Sequence, residues 1–559
     1  MPSPLKPRSF ELTDGPDRVA HRALLFSCGL TRADLTKPLI AIVNSWNEIV
    51  PGCMHLRPVA QSVREGVLEA GGVPLEFNTI GVCDGMAQGH VGMKYSLPSR
   101  EIIAASAEIM LEAHQFDAAV FISSCDKITP GMLMAAARVN IPAIFVPAGA
   151  MEAGEYGGEK IALSQTREFA GKYHAGEISA EELAYIEEIA CPSPGTCAMM
   201  GTANSMACLT EALGMSLPTS ATMPATSSAK LRNARESGAQ VIRLLEQNLR
   251  PRDIMTADAL ENALRVAMAI GGSTNTILHL LGLAREVGVD FDLRHVDEVS
   301  RTTPYIAKII PSGPNTINDL HRAGGIPAVF KAIRRLIKSG ALTVSGQTIG
   351  EIADAARWSD PNVIHSMDDP IRPDGGLAIL WGSLAPEGAV VKKSAATPKM
   401  WVHEGPARVF DSMEAATEAV EAGHVEPGSV IVIRYEGPVG GPGMREMQMI
   451  TAIMMGMGLS ETTALVTDGR FSGSTRGPCI GYVSPEAALG GPLAFVEDGD
   501  RISIDIPAGK LDLIVPQEEM ARRRAAWIPP KRPTKGILGL YASLAQSAAQ
   551  GAVLLPKVE

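Results

Sequence analysis

Short apolar runs alternate with helical patterns between residues 37 and 149, and this alternation restricts the fold more than any other feature. The strand-like runs cover 39–43, 75–82, 118–122 and 143–146, and the helical patterns cover 56–70, 99–114 and 131–139. Strands that alternate with helices in this way form βαβ units with parallel strands and right-handed crossovers. The pattern predicts a doubly wound α/β layer.

A thiol, a carboxylate and an amine occupy consecutive positions directly after the third apolar run, as Cys125, Asp126 and Lys127. We expect Thr129 to cap the following helix and Pro130 to lie in its first turn, which would fix the three side chains in a strand-to-helix turn. Such turns lie at the carboxyl edge of an open α/β sheet, where ligands bind.

This turn offers donors for two kinds of metal. Cysteine is a soft ligand that suits iron–sulfur clusters or zinc, whereas aspartate is a hard ligand that suits magnesium. Taken alone, the triplet is equally compatible with a buried structural cysteine followed by a surface Asp–Lys pair. Cys53 follows the first apolar run and Cys197 precedes a helical pattern, so each of them again lies at the end of an element.

The chain contains eight cysteines, and they follow no short-range pairing pattern. No Cys-x-x-Cys occurs, which argues against a disulfide framework, a zinc ribbon and a ferredoxin. Cys28, Cys191, Cys208 and Cys479 are expected to be small buried hydrophobes, because free cysteine packs well. Cys83 stays open between this role and a functional one, since its neighbour Asp84 belongs to a motif.

Length and charge narrow the class of protein. At 559 residues, the chain is too long for one core and is expected to form two or three domains. The net charge of -11 and the lack of a basic cluster argue against nucleic acid as a partner. The first residues contain no apolar h-region, and the apolar runs are too short to span a bilayer. We therefore expect a soluble, cytoplasmic protein without a membrane partner.

The pattern changes beyond about residue 370. Short strands separated by Gly and Pro are predicted at 389–392, 429–434, 464–467, 501–506 and 511–515, a spacing typical of a β-barrel or sandwich. Between the two regions, residues 155–189 are polar and helix-prone, and 257–270 and 326–337 continue a helical shell. Residues 522–535 are predicted to form an arm or linker.

Two glycine-rich motifs invite comparison with phosphate-binding loops. Residues 437–443 lack the Gly-Lys-Ser/Thr ending of a P-loop, and their prolines remove amide donors. We expect this segment to let the backbone approach a ligand and to present Glu446. Gly469 and Gly473 bracket a tight turn that could expose Ser472, although a capped surface turn would have the same local sequence.

Separated motifs occur in order along nearly the whole chain, at 83–85, 89–90, 95–101, 124–132, 271–275, 440–446 and 467–473. With them, the chain resembles the dihydroxy-acid dehydratase and phosphogluconate dehydratase family. The resemblance implies an α/β domain over residues 1–370 that carries the iron–sulfur ligands and most magnesium ligands. It implies a β-barrel-like domain over 371–559 that carries Glu446 and a catalytic serine, with the site between the domains.

The same resemblance implies that Cys53, Cys125 and Cys197 hold a 2Fe-2S cluster. Three thiolates on two irons leave one iron with a vacant position, which makes it a Lewis acid instead of an electron carrier. Three cysteines also suit a four-iron cluster with one open iron, so the number of irons rests on the resemblance alone.

The resemblance further implies that Asp84, Asp126 and Glu446 bind Mg2+ and that Lys127 is carbamylated. A carbamate is an anionic oxygen ligand of the kind that Mg2+ prefers, whereas an ammonium group would repel the ion. The alternative is an unmodified lysine paired with a neighbouring carboxylate.

Ser472 matches the family's general base, which would have to ionise in the field of the adjacent cations. The resemblance leaves open whether His55, Arg470, Ser474 and Thr475 contact substrate or order the turn.

The implied reaction is the dehydration of a 2,3-dihydroxy acid to a 2-oxo acid. Residues 302–307, 319–327 and 374–380 look most like the branched-chain biosynthetic enzyme, which acts on 2,3-dihydroxy-isovalerate and 2,3-dihydroxy-3-methylvalerate. A sugar-acid (aldonate) dehydratase is the alternative within the family, and Gln88, Arg476, Pro478 and Cys479 depart from otherwise familiar motifs. An iron–sulfur electron-transfer or sensing protein is the alternative of another class, but it would need no hard-ion site. A homodimer or a dimer of dimers is the expected assembly.

Overall fold

Residues 5–174, 176–358, 360–531 and 535–555 are described by the computed structural model. A four-stranded parallel sheet organises the first part of the chain, with strand order β2–β1–β3–β4. Its strands are β1 (Leu39–Asn44), β2 (Val73–Asn78), β3 (Ala118–Ser123) and β4 (Ala143–Pro147). Every residue of β1, β3 and β4 is buried, as expected for a parallel sheet with helices on both faces. The predicted α/β layer is confirmed.

The helices of this first part follow the predicted alternation. They are α1 (Phe10–Thr13), α2 (Val19–Ser27), α3 (Leu56–Glu69), α4 (Asp84–Ala87), α5 (Ser96–Ala113) and α6 (Ile128–Val139). The predicted strand over 75–82 ends early, at Asn78, because the chain then bends across the start of α6. Gly81 lies at this crossing, where a Cβ would come within 2.9 Å of Ile128.

Helix α6 begins at Ile128, so the expectation that Thr129 caps it is wrong. Lys127 occupies the N-cap position without a side-chain cap. The hydroxyl of Thr129 instead donates to the carbonyl of Ser124, at 2.6 Å. This bond closes the turn that carries Cys125 and Asp126, so the turn is fixed by a different contact from the one expected.

A small hairpin and a helical shell follow the sheet. The hairpin pairs β5 (Gly154–Tyr156) with β6 (Glu159–Ile161). The helices are α7 (Leu163–His174), α8 (Ala180–Ile189), α9 (Thr202–Ala212), α10 (Ser228–Gln247), α11 (Pro251–Ile254), α12 (Ala257–Ala269), α13 (Asn275–Val287), α14 (Leu293–Thr302), α15 (Ile317–Arg322), α16 (Gly325–Ala332) and α17 (Ile349–Ala355). Among the described residues, no helix is both long enough and apolar enough to cross a bilayer.

An eight-stranded sheet organises the second part, in the order β14–β13–β9–β10–β11–β12–β8–β7. Its strands are β7 (Ala378–Leu380), β8 (Gly388–Val391), β9 (Val402–Phe410), β10 (Val430–Ile433), β11 (Ala464–Thr467), β12 (Cys479–Ser484), β13 (Arg501–Asp505) and β14 (Lys510–Ile514). A bridge between Trp381 and Lys510 joins the two ends of the sheet. The predicted β-barrel-like architecture is therefore confirmed.

Four helices in the described part of the chain accompany the barrel. They are α18 (Met413–Glu421), α19 (Gln448–Gly456), α20 (Gln517–Ala526) and α21 (Gly536–Leu544). Two of them, α19 and α21, contact helices of the first part of the chain. Helix α20 occupies the start of the predicted arm at 522–535, of which 532–534 lie outside the described residues. Tyr541, Ala545 and Ala552 belong to the same apolar core as β1 and β3. The proposed division at residue 370 stays a prediction, and the chain beyond it contributes to both cores.

Candidate metal centres and active-site cleft

A cleft with about 540 Å³ of empty volume lies where the carboxyl edge of the parallel sheet faces the loop after β11. Five of the predicted site residues line it: Asp84, Cys125, Asp126, Cys197 and Ser472. The other three, Cys53, Lys127 and Glu446, are buried beside these residues. The sequence therefore predicted a set of side chains that the fold does bring together.

Hydrogen bonds to backbone carbonyls tie the three cysteine loops to one another. Gly195 N donates to Pro51 O at 3.0 Å, and the hydroxyl of Ser124 donates to Gly52 O at 2.6 Å. A Cβ at Gly52 would lie only 2.6 Å from that hydroxyl, so the loops carrying Cys53 and Cys125 leave no room for a side chain there. The positions of the three cysteines are thus fixed relative to one another by contacts outside the thiols.

The thiols are held in their neutral form in the absence of a cation. Burial raises the pKa of Cys53 to about 11 and also raises the pKa of Cys197. Contact with Cys83, together with burial, raises the pKa of Cys125 well above its usual value. A positively charged centre would be needed to ionise such thiols, and thiolates are the ligands that iron–sulfur clusters require. The donor set fits a cluster.

Cys83 also lines the cleft and contacts Cys125. A hydrogen bond with Cys125 lowers the pKa of Cys83 to about 7. The structure therefore places four cysteines around one end of the cleft, of which the sequence analysis named three as ligands. Cys83 is half-buried at the cleft wall, so it is not a fully buried packing residue.

Three carboxylates form a second donor set. Asp84, Asp126 and Glu446 each offer an oxygen, and these oxygens lie within 4.8 Å of one another. The Oδ1 atom of Asp84 is buried and has no hydrogen-bond partner within the described part of the chain. Burial, with the nearby charge of Asp84, raises the pKa of Asp126 to about 7. A hard divalent cation would supply the missing partner and relieve the repulsion, so the residues fit Mg2+.

Two buried cations, Lys127 and Arg470, compensate the negative charge of these carboxylates. Lys127 Nζ donates to Asp84 Oδ2 at 2.7 Å and lies 3.8 Å from Asp126 Oδ2. Arg470 pairs with Glu446 and lies 3.6 Å from Asp84. Burial alone would raise the pKa of Asp84, but Lys127 and Arg470 outweigh it and lower that pKa. The unmodified lysine thus forms the ion pair that the sequence analysis weighed against carbamylation.

Neutral side chains complete the surroundings of Glu446. Asn275 donates to one of its oxygens at 2.7 Å, and Gln88 donates to the other at 2.8 Å. Asn275 lies in one of the quoted motifs without an assigned role, and Gln88 was noted only as a departure. Both act through Glu446, which no local sequence signal could have indicated.

Ser472 also lines the cleft. Its side chain is nearly buried, so the expected exposed serine is instead a residue of the cleft wall. Its hydroxyl lies 3.0 Å from that of Ser474, which in turn bonds with Gln448. Helix α9 begins beside this loop, since a Cβ at Gly473 would lie 3.0 Å from the Cα of Gly201, and Ala203 N donates to Asp126 Oδ1 at 3.1 Å.

His55 and Arg470 do not line the cleft. The Nε2 atom of His55 lies 3.0 Å from Ala148 O, and Arg470 is fully buried among the carboxylates and Met444 O. Arg470 therefore contacts the carboxylates from outside the cleft, and the role of His55 stays open. Thr475 is likewise buried, with a hydroxyl that has no hydrogen-bond partner within the described residues.

The glycine-rich segment 437–443 makes its close approaches to other parts of the protein, and the expected ligand contact stays a prediction. Val439 N and Gly440 N donate to the carboxylate of Glu486. Gly443 has a φ of +89°, and a Cβ on it would lie 2.0 Å from the carbonyl oxygen of Lys94. Glycine is required because two parts of the backbone meet.

The chain matches known protein families over most of its length. The model of the dihydroxy-acid/6-phosphogluconate dehydratase N-terminal domain matches residues 37–352, and that of the C-terminal domain matches 362–552.

Individual relatives match over nearly the entire chain. Dihydroxy-acid dehydratase of Moorella thermoacetica is 54% identical over 550 residues, which cover 98% of this chain and 100% of that protein. Dihydroxy-acid dehydratase of Carboxydothermus hydrogenoformans is 54% identical over 97% of this chain and 99% of its own. Dihydroxy-acid dehydratase 1 of Methanosarcina acetivorans is 51% identical over 98% of this chain and 100% of its own. The two domain matches and these full-length relatives agree, and the chain belongs to the dihydroxy-acid/6-phosphogluconate dehydratase family.

Proposed function

We propose that this protein is a hydro-lyase that converts 2,3-dihydroxy carboxylic acids to 2-oxo acids. Its substrates are 2,3-dihydroxy-isovalerate and 2,3-dihydroxy-3-methylvalerate, as in branched-chain amino-acid biosynthesis. The observation that carries the proposal is the convergence of a soft thiol set and a hard carboxylate set on one cleft that also contains Ser472. Relatives named dihydroxy-acid dehydratase, which match the chain from end to end, support the choice of substrate.

The donor sets assign the cofactors. Cys53, Cys125 and Cys197 would hold a 2Fe-2S cluster, and Asp84, Asp126 and Glu446 would hold Mg2+. When bound, the cluster would supply a Lewis acid for the leaving 3-hydroxyl, and Mg2+ would stabilise negative charge on the carboxylate and the 2-hydroxyl. An electron-transfer protein would have no use for the buried carboxylates, which argues against that alternative.

Lys127 is proposed to act as a carbamate. Its amine lies against two of the carboxylates, so that an ammonium group would stand beside the bound Mg2+ and repel it. Reaction of the neutral amine with CO2 replaces this positive charge with an anionic oxygen, which is a preferred magnesium ligand. The ion pair with Asp84 would then describe the protein before modification.

Ser472 would remove the proton from C2. A serine hydroxyl is a weak acid, so the positive charge of the cleft has to stabilise its ionised form. The electron pair left at C2 forms the C2–C3 double bond as the C3–oxygen bond breaks, and the 3-hydroxyl leaves with a proton as water. The remaining enol tautomerises to the 2-oxo acid, so the reaction has no net oxidation.

The assembly and the compartment are proposals that rest on the resemblance. We propose a cytoplasmic homodimer or dimer of dimers.

A kinetic comparison tests the proposed substrates. Anaerobically purified protein with Mg2+ should convert 2,3-dihydroxy-isovalerate to the 2-oxo acid with a higher kcat/KM than any member of a panel of pentonates and hexonates. The reason is that a pocket which binds the apolar end of 2,3-dihydroxy-isovalerate would leave the extra hydroxyls of a sugar acid unpaired, which is costly. A preference for an aldonate would identify a sugar-acid dehydratase, and no turnover of either class would refute the function.

The cluster ligands can be tested by spectroscopy. Cys125→Ser should lose both the visible chromophore and activity, because each thiolate anchors iron, while Cys208→Ser should keep both. Cys208 is a matched control because it is fully buried on α9 yet does not line the cleft. Cys83→Ser should retain iron. Full iron occupancy in Cys125→Ser, or loss of iron in Cys83→Ser, would show that the ligand set is wrong.

Magnesium dependence tests the carboxylate site. Glu446→Gln replaces an anionic ligand with a neutral amide, and we expect the Mg2+ concentration for half-maximal rate to rise by about tenfold or more, with an unchanged cluster spectrum. Glu414→Gln is the control, since Glu414 also pairs with an arginine, Arg445, but lies outside the cleft. An unaltered magnesium requirement in Glu446→Gln would remove Glu446 from the site.

The role of Ser472 is separable from metal binding. Ser472→Ala removes the base but no proposed metal ligand, so kcat should fall by about 10²-fold or more while iron and magnesium contents stay unchanged. Deuterium exchange at substrate C2 should fall in parallel. The control Ser474→Ala removes only the neighbouring hydroxyl and should lower kcat much less. Near-normal kcat and exchange in Ser472→Ala would assign the base elsewhere.

A further inference from the structure

Arg167 is the one basic side chain that lines the cleft among the described residues. It lies on α7, in the segment for which the sequence analysis predicted only polar helices. The other two cations of the site, Lys127 and Arg470, are fully buried behind the carboxylates and do not line the cleft. A ligand entering the cleft would therefore meet a single guanidinium group.

No carboxylate within the described ranges lies within 4 Å of this guanidinium. By contrast, the guanidinium groups of four other arginines each pair with a carboxylate: Arg100, Arg138, Arg445 and Arg470. The one hydrogen bond of Arg167 to a residue within these ranges is long, from Nη2 to Gly85 O at 3.5 Å. Burial lowers the pKa of Arg167, and the charges of Glu446 and Cys197 only partly offset this. A partly buried charge without a close counter-ion is unfavourable unless a ligand supplies one.

Helix α7 holds this side chain in a fixed relation to Ser472. Glu168, the next residue on the helix, forms a salt bridge of 3.2 Å with Arg476, four residues beyond Ser472 in the same loop. On the following turn, α7 packs closely on α19, where a Cβ at Gly171 would lie 3.4 Å from the Cα of Gly456. The guanidinium and the serine therefore belong to one packed unit at the cleft.

We propose that Arg167 binds the carboxylate of the substrate and selects acids over neutral analogues. A guanidinium presents two parallel N–H donors that match the two oxygens of a carboxylate. A carboxylate has enough lone pairs to accept from Arg167 and still bind a metal ion, so the assignment is compatible with the proposed Mg2+ site. This inference rests on the proposed function, because it concerns the acid on which that reaction acts.

The test compares an acid with its amide. The ligands are 2-hydroxy-3-methylbutanoate and 2-hydroxy-3-methylbutanamide, which lack the 3-hydroxyl and so cannot be dehydrated. Binding of each to the holoenzyme is measured by calorimetry. Arg167→Gln should raise the dissociation constant of the acid by about 10- to 100-fold, the usual effect of losing a hydrogen bond to a charged group. It should change the dissociation constant of the amide by less than about threefold. Arg167→Lys keeps the charge but loses the paired donors, so its affinity for the acid should lie between those of the wild type and Arg167→Gln.

A matched control and metal analysis separate recognition from structure. Lys172→Gln removes the same charge from the exposed part of α7 and should leave both affinities unchanged. Equal weakening of acid and amide in Arg167→Gln, or weakening of neither, would overturn the assignment. Loss of iron or magnesium in that variant would also overturn it, because Arg167 would then support Glu446 or Cys197 instead.

The outcomes also distinguish this inference from the proposed function. If wild-type protein binds the acid through Arg167 but dehydrates no dihydroxy acid, the carboxylate site stands and the reaction is wrong. If wild-type protein dehydrates dihydroxy acids and Arg167→Gln binds the acid normally, the reaction stands and the role of Arg167 is wrong.

Discussion

A compensated cluster of buried charges is the interaction on which the rest of this structure depends. Asp84 and Lys127 come from the α/β part, and Glu446 and Arg470 come from the barrel part. All four are almost completely buried, so each needs its opposite charge in place. Since the contact between Arg470 and Asp84 crosses from one part to the other, it helps to fix the relative position of the two cores and with it the shape of the cleft.

Two carboxylates in and beside this group of buried charges show electrostatic or hydrogen-bonding frustration that a cation would relieve. Asp84 Oδ1 has no hydrogen-bond partner within the described residues, and burial holds the pKa of Asp126 near 7. The cysteine loops show the same principle with soft donors, because burial favours their neutral thiols. In both donor sets the fold fixes the backbone and buries donors that suit a positively charged ligand, which supports the two metal centres proposed above.

The hydrophobic pattern of short segments was enough to predict most strands of the parallel sheet. The alternation of apolar runs and helical patterns predicted the bounds of β1, β3 and β4 to within one residue. It also predicted that residues 125–127 lie in the turn between β3 and the next helix. Strands β9 and β12 were missed because Gly405, Pro406 and Gly481 interrupt their apolar runs, while barrel pairing stabilises them. Long-range contacts were equally inaccessible: the bond from Gln88 to Glu446 joins residues far apart in the chain, and no periodicity indicates which face of α7 turns Arg167 toward the cleft.

Anomalous diffraction from crystals of anaerobically purified protein tests the central claim most directly. Data collected at the iron absorption edge should give a peak bonded to the sulfur atoms of Cys53, Cys125 and Cys197, with a separate light cation among Asp84, Asp126 and Glu446. Iron bonded to Cys83 in place of Cys53 would correct the ligand set. A cleft without iron, in protein that dehydrates its substrate, would contradict the account.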